Sequence, residues 1–491
     1  MSKAKSISLL VGALLCTTAA LYLSTSALKH KGLAFVLVPL LAGVAVFVLP
    51  TAVRSIYGGA RTLVQKLTWS QSVFVLCFIS GIVWRVRELQ EINSAPVDAF
   101  ALLRVSIQVL VALVLFLRLR VFRDDWPRAV FTGVIGALAM FPLLSLVSTA
   151  WSVKPAWTCY KSVEYLIDLS TVAAIIVSLK SRQEFERLMN IAWSLLGLML
   201  VSAWVGALID PTDALKLDKV EGPLTGRLNG VVPQIDANSV GEWSAILAII
   251  AIARIAYDPE KRFNAKWCWI LLGFAVPTLM YSQTRAAIAG FALALVVLLV
   301  LSRRYGTMVL LTGSGVILGA ILLATTNAGI VLKDYLLRGH SIQQLADLSG
   351  RLDWWQYAVF KFDQRPWFGY GGYAGGRFVV LAGIGRYDTG DILSSWVQPL
   401  IDTGIPGFLV LMTAVIAVWI TLLKTIRGSM ADPATRRVLV EATCVMTIIQ
   451  IRSFFTGNLI THDAMPFLVV VGCAEFGRRF TKLKLTCPSL E

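Results

Sequence analysis

Residues 282–302 read SQTRAAIAGFALALVVLLVLS, so that Arg285 stands at the mouth of a long apolar run. The run contains no proline and only one glycine, and wound as a helix it can cross a bilayer. A guanidinium in that place is costly to desolvate, so it calls for a partner or a task. The rest of the chain decides which.

Working outward, the same apolar pattern recurs. The chain has 491 residues, 57% hydrophobic and 15% charged, which is too apolar for a soluble protein of this length. Apolar runs fall at 7–27, 33–50, 69–84, 99–117, 129–149, 163–179, 191–208, 240–257, 267–282, 286–302, 307–325, 405–423, 438–455 and 462–476. The expected fold is all-α: a polytopic integral membrane protein with about 12–14 transmembrane helices and one large outer loop containing short helices. The first apolar stretch resembles a signal peptide, but Leu15 before Cys16 is no cleavage residue, so it reads as an uncleaved span.

The net charge of +16 is a matter of topology. With the N-terminus placed in the cytoplasm, basic clusters such as Arg118 and Arg120, Arg303 and Arg304, Arg436 and Arg437, and Arg478 and Arg479 all fall on the cytoplasmic side. The short outer loops keep Lys29, Lys31, Arg85, Arg87, Lys154, Lys161, Arg285 and Arg452. The positive-inside rule then puts both termini inside, and no nucleic-acid partner is expected. Only Cys159 among the seven cysteines falls outside the cytoplasmic side, which argues against a disulfide. His30, His340 and His462 lie far apart and no CxxC is present, so no metal is expected. No Walker motif and no GxGxxG after a strand is found, so no cofactor is expected and chemistry is placed on the outer side.

Four segments follow: N-terminal transmembrane helices at 1–147, central helices with motif-bearing loops at 148–325, the large outer loop at 326–398, and C-terminal helices with a short basic tail at 399–491. The long connections, 209–239 and 326–398, are both outer. Within the second, a helix break is expected near Ser349-Gly350. Trp354, Trp355, Phe360 and Phe362 would then lay an apolar face on the membrane. The glycine-aromatic stretch PWFGYGGYAGGRF, 366–378, reads either as an interfacial belt or as a flexible lid.

Arg285 therefore sits at the outer, N-terminal end of its helix. There unpaired N–H groups and the helix dipole already favour an anion, and a guanidinium fork suits phosphate. Arg227 in GRLNGVVPQIDANSVGEW, 226–243, and Arg351 in SGRLD are two more outer arginines, and Asn238 is placed to cap the span beginning near Val240. Three such arginines can grip a diphosphate. The alternative is that each anchors to headgroups or pairs with a carboxylate such as Asp236 or Asp353. In STAWSVKPAWTCYKSVEYL, 148–166, rings and charges mix around Trp151, Trp157, Lys161 and Glu164. Arg104, Asp168, Glu242 and Glu441 fall within spans, where they would pair with one another or snorkel.

The order of these motifs resembles the O-antigen ligase and polymerase superfamily of membrane glycosyltransferases. The stretches that carry it are 148–166, GRLNGVVPQIDANSVGEWSAI at 226–246, SQTRAAIAGF at 282–291, SGRLDWWQYAVFKFDQRPWFGYGGY at 349–373 and SSWVQPLIDTGIPGFL at 394–409. The resemblance implies a polyprenyl-diphosphate-linked glycan as donor and another glycan, or lipid A-core, as acceptor. It also implies the bilayer and other polysaccharide assembly proteins as partners, and the periplasmic face of the bacterial inner membrane as the place of reaction. By motif, Arg227 and Arg285 match the family arginines that hold the diphosphate, with Arg351 a looser match. Asn238, Lys161 and Trp355 complete the expected contacts to diphosphate or glycan. Ligases of this type carry a His-Asn pair before the span that follows the large loop; here those positions read Leu393-Ser394. The base would then be Asp391, nearest in sequence, or one of Asp388, Asp402, His340 and His462. The missing pair favours a polymerase, of O-antigen or exopolysaccharide, over a ligase. A flippase for lipid-linked glycan is the rival reading. It calls for charge pairs near the midplane and internal repeats, and no convincing repeat is found.

Overall fold

The computed structural model describes residues 68–82, 99–122, 125–179, 181–215, 226–231, 233–256, 265–303, 306, 330, 335, 351–386, 390–429, 432–462 and 464–486. Among these residues the protein is an all-α polytopic bundle; the sole β pairing is a bridge between Gly230 and Ile235. In chain order the helices are α1 (Trp69–Ile82), α2 (Ala99–Phe122), α3 (Trp126–Val130), α4 (Gly133–Val147), α5 (Pro155–Ser178), α6 (Arg182–Ile209) and α7 (Pro211–Leu215). They continue as α8 (Ala237–Ala256), α9 (Ala265–Ser282), α10 (Arg285–Leu301), α11 (Arg351–Gln364), α12 (Val397–Gly428), α13 (Pro433–Ser453) and α14 (Met465–Thr486). A short 3-10 turn, Ser148–Trp151, extends α4, and a π-helical turn, Gly376–Leu381, lies between α11 and α12.

Each expected span within the described residues coincides with one of these helices. Five stretches are long and apolar enough to cross a membrane: Ala101–Val121, Gly133–Trp151, Arg182–Ile209, Ala237–Ala256 and Val397–Gly428. Trp69–Gly81 and Arg285–Leu301 are shorter and equally apolar. The spans expected at 7–27, 33–50 and 307–325 lie outside the described residues.

Helix boundaries follow local chemistry. Ser181 caps α6 by accepting from the Glu184 N–H (3.2 Å), the Ser-x-x-Glu spacing of a capping box. Asp432 caps α13 in the same way through the Thr435 N–H (3.4 Å), with Pro433 at the first helical position. Inside α12 the chain leaves helical geometry at Gly404 (φ 72°), a left-handed position that glycine takes without strain, and Pro406 follows.

The core is one continuous apolar mass in which α8 packs along α9, α10 along α13, and α12 along α4. The charges within it are compensated between helices rather than with one another or by snorkelling. Arg104 pairs with Glu164 (2.6 Å), Asp168 with His462 (2.7 Å), Glu242 with Arg452 (3.3 Å) and Glu441 with Arg254 (3.3 Å). The reason is geometric: a charge too deep to reach water needs its counter-charge from the helix it packs against, and each of these pairs bridges two segments. The two ends of the bundle differ. At one, basic groups tie helix ends together, as in Arg182 with Asp432 (3.0 Å) and Arg436 with the Leu301 carbonyl (2.8 Å). The other end carries the N-termini of α8, α10 and α12, and the motif loops.

Candidate active site at the arginine end of the bundle

The turn SQTR is built by its neighbours. Gln283 takes a left-handed backbone (φ 49°), and its side-chain amide donates to the Gly226 carbonyl (2.6 Å). The Leu228 N–H donates to the Tyr281 carbonyl (3.0 Å), so the loop 226–236 lies against the end of α9. Thr284 Oγ1 donates to the Ala237 carbonyl (2.8 Å), which fixes the turn to the start of α8. Gly241 makes this contact possible. A Cβ there would meet Thr284 Cβ at 2.6 Å and Ser282 Oγ at 2.7 Å.

Arg227 lies in this junction. Its Nε donates to the Ser282 carbonyl (2.9 Å) and its Nη2 to Asn238 Oδ1 (2.8 Å). Asn238 is thus not the helix cap. Asp236 caps α8, its Oδ1 accepting from the Ser239 N–H (2.5 Å), because the helix begins three residues earlier than its apolar run suggests. Asn238 is left free to orient an arginine. Burial lowers the Arg227 pKa to about 10; Asp236 opposes the fall, and Arg452, Arg351 and Arg285 add to it. At neutral pH the group still carries its charge.

Arg285 is the first residue of α10, and its Nε and Nη2 are buried without a hydrogen-bond partner. Arg351 is the first residue of α11, its guanidinium 5.9 Å from the Phe455 ring centroid. Burial and the nearby Arg452 lower its pKa, while Asp391 pulls the other way. Arg227, Arg285 and Arg351 close no ion pair among the described residues, which sets aside the pairing with Asp236 or Asp353 that the sequence allowed. Arg452, near the end of α13, is the fourth member. It is buried against Glu242 (3.3 Å), whose Oε2 also accepts from the Asn458 amide (3.0 Å). Four guanidinium groups therefore share one electrostatic neighbourhood, with two of them at helix N-termini.

Asp391 stands at the edge of this group. Its Oδ1 accepts from the Leu393 N–H (2.9 Å), holding Leu393 in a left-handed conformation (φ 53°). Ser394 then accepts from the Trp396 and Val397 N–H groups (3.3 Å each) at the start of α12. The other candidate bases lie elsewhere. His462 is buried between Asp168 (2.7 Å) and Ser80 (2.8 Å). Asp402 is fully buried and accepts from the Tyr373 and Gly376 N–H groups (3.0 Å each) and from the Gln398 amide (2.9 Å). His340 and Asp388 fall outside the described residues.

Asp402 also explains the glycine-aromatic stretch. The Tyr370 and Gly371 N–H groups donate to the Ile401 and Asp402 carbonyls (2.9 and 2.8 Å), and the Gly372 N–H to Ser148 Oγ (2.8 Å). These bonds tie the stretch to α12 and to the end of α4. In α11, Trp354, Tyr357 and Phe362 pack on Val380, Leu381 and Ile401, and of Trp354, Trp355, Phe360 and Phe362 only Phe360 is exposed. Trp355 donates from Nε1 to the Ile392 carbonyl (3.1 Å), which ties α11 to the Asp391 segment. Lys161 belongs to a different cluster, bound to the buried Glu164 (2.7 Å), which Arg104 and Gln108 also reach.

Residues 268–412 match the family described as O-antigen ligase, which takes in Arg285, Arg351, Asp391 and the glycine-aromatic layer. That match supports membership of the O-antigen ligase and polymerase superfamily. That superfamily is one of membrane glycosyltransferases, with lipid-linked glycan as substrate. No curated protein matches the chain. The O-antigen ligase match stops short of Arg227 and Arg452, which the structure brings to the same end of the bundle. Because Gly241 seats the turn bearing Arg285, Gly241→Ala in this O-antigen ligase relative is expected to cut glycan output roughly 10²-fold at unchanged protein level. Output is read on gels of surface glycan.

Proposed function

We propose that this protein is a glycan polymerase of the bacterial inner membrane, working at the periplasmic face on polyprenyl-diphosphate-linked repeats of an O-antigen or exopolysaccharide. The observation that carries the reading is Arg285: a guanidinium at a helix N-terminus, two of its nitrogens without a partner among the described residues, sharing its electrostatic environment with Arg227 and Arg351. A diphosphate leaving group develops charge as its bond to the sugar breaks, and preorganised donors stabilise that charge most where water is excluded. The donor diphosphate lies against Arg285 and Arg227. A hydroxyl of the acceptor glycan attacks the anomeric carbon; the bond from that carbon to the diphosphate oxygen breaks, and the electron pair leaves with the oxygen. Asp391 takes the hydroxyl proton. A single displacement inverts the anomeric centre. The arginines carry the charge stabilisation, and the proposed reaction is metal-independent.

Polymerase is favoured over ligase because Leu393-Ser394 replaces the His-Asn pair and Ser394 is spent on holding the start of α12. The test is turnover by purified protein in vesicles supplied with a lipid-linked repeat. A polymerase releases free polyprenyl diphosphate and builds longer chains. A carrier that only moves lipid-linked glycan releases none, and that result ends the proposal. In the same assay Asp391→Asn is expected to lower kcat by roughly 10²–10⁴-fold with little change in KM.

A further inference from the structure

Beyond the arginines, the same end of the bundle holds a shallow cavity, broadly open on one side and about 530 Å3 in volume, that the reaction above does not use. Trp151, Gln364, Arg365, Trp367 and Phe368 line it. Its size is that of a small-molecule site. Trp367 and Phe368 are 62% and 64% exposed.

The backbone here is held by hydrogen bonds. The Arg365 N–H donates to the Phe362 carbonyl (2.9 Å), the Gly369 N–H to the Arg365 carbonyl (3.0 Å), and the Ile405 N–H to the Pro366 carbonyl (2.8 Å). Trp151 Nε1 donates to the Phe368 carbonyl (2.8 Å), and the two rings meet edge to face at 5.5 Å. Arg365 is held over the Tyr370 ring (5.0 Å). The cavity thus offers flat apolar rings beside an amide and a guanidinium. That is the chemistry of a pyranose ring, which has C–H faces to stack and hydroxyls to bind.

The cavity is coupled to the arginines by one element. Helix α11 has Arg351 as its first residue and Gln364, a cavity residue, as its last. A helix of that length spans about 20 Å. A glycan whose diphosphate sits at the arginines must run along the outer face, and α11 sets the distance at which the aromatic cavity meets it.

We propose that the cavity is a distal glycan subsite, which holds sugars remote from the diphosphate. The proposal rests on the polymerase reading for the identity of the glycan, but its binding does not need catalysis. The probe is delipidated oligosaccharide cut from the host's own surface glycan. Binding is read by intrinsic fluorescence of the full-length protein in detergent. Wild type is expected to bind. Trp367→Ala and Phe368→Ala should each weaken binding tenfold or more. Both side chains are exposed, so truncation opens no core, and an unchanged melting temperature confirms it. Fragment binding with no release of polyprenyl diphosphate supports the subsite and overturns the polymerase. Turnover with no fragment binding, or with binding indifferent to both substitutions, overturns the subsite alone. The proposal also fails if brominated phosphatidylcholine vesicles quench wild type more than Trp367→Phe, because Trp367 then sits in lipid.

Discussion

Arg285→Ala is expected to lower the release of polyprenyl diphosphate by roughly 10²–10³-fold, the cost of removing one preorganised donor from a developing oxyanion. The protein should still insert and fold, because the guanidinium makes no hydrogen bond through Nε or Nη2 that folding would miss. Removing it relieves like-charge repulsion with Arg227 and Arg351. Arg285→Lys should recover only part of the rate, since an ammonium keeps the charge but lacks the planar fork that meets two phosphate oxygens at once. The measurement is kcat in vesicles at matched protein level, with thermal stability followed in parallel. Full activity in Arg285→Ala at normal abundance would mean that the guanidinium only anchors the helix, and the proposed mechanism would be lost.

A second large effect is expected at Asp402, for a different reason. Its carboxylate accepts from two backbone N–H groups of the glycine-aromatic layer and from the Gln398 amide, all out of water. Asp402→Ala leaves those donors buried without an acceptor, at about 1–3 kcal/mol for each. The sum is a large part of the roughly 5–15 kcal/mol that holds a typical domain. The layer at 366–376 is therefore expected to detach while the helical bundle survives. Limited proteolysis of the purified variant should cut within this layer at protease concentrations that leave wild type intact, and turnover should fall with it. Asp402→Asn keeps one carbonyl oxygen and should show a milder form of both changes. A variant as resistant to cleavage as wild type would show that Ser148, Ile401 and the aromatic packing hold the layer without the carboxylate.

The sequence makes the helices legible because long apolar runs have no other way to satisfy their backbone. Arg285 is legible for a related reason: a guanidinium placed at the first residue of such a run is a local pattern. Arg452 carries no such signal. It reads as one more loop charge, since its partner Glu242 lies 210 residues away and only packing of α13 against α8 brings them together. Asp402 misleads in the opposite direction, as a carboxylate near a reaction motif that turns out to organise backbone. Asn238 has the residue type of a cap, but Asp236 takes that role and frees it for Arg227. In each case the residue type announces polarity, while the partner is set by tertiary contacts that no local spacing encodes.

The four arginines stand at positions 227, 285, 351 and 452, spread over nearly half of the chain. Synthesis delivers them one at a time, and Arg452 comes last, on a helix that must slide in beside α8 and α10. Until it does, Glu242 lacks its cation and the cluster is incomplete. The cluster is therefore complete only once the last part of the chain has joined the bundle.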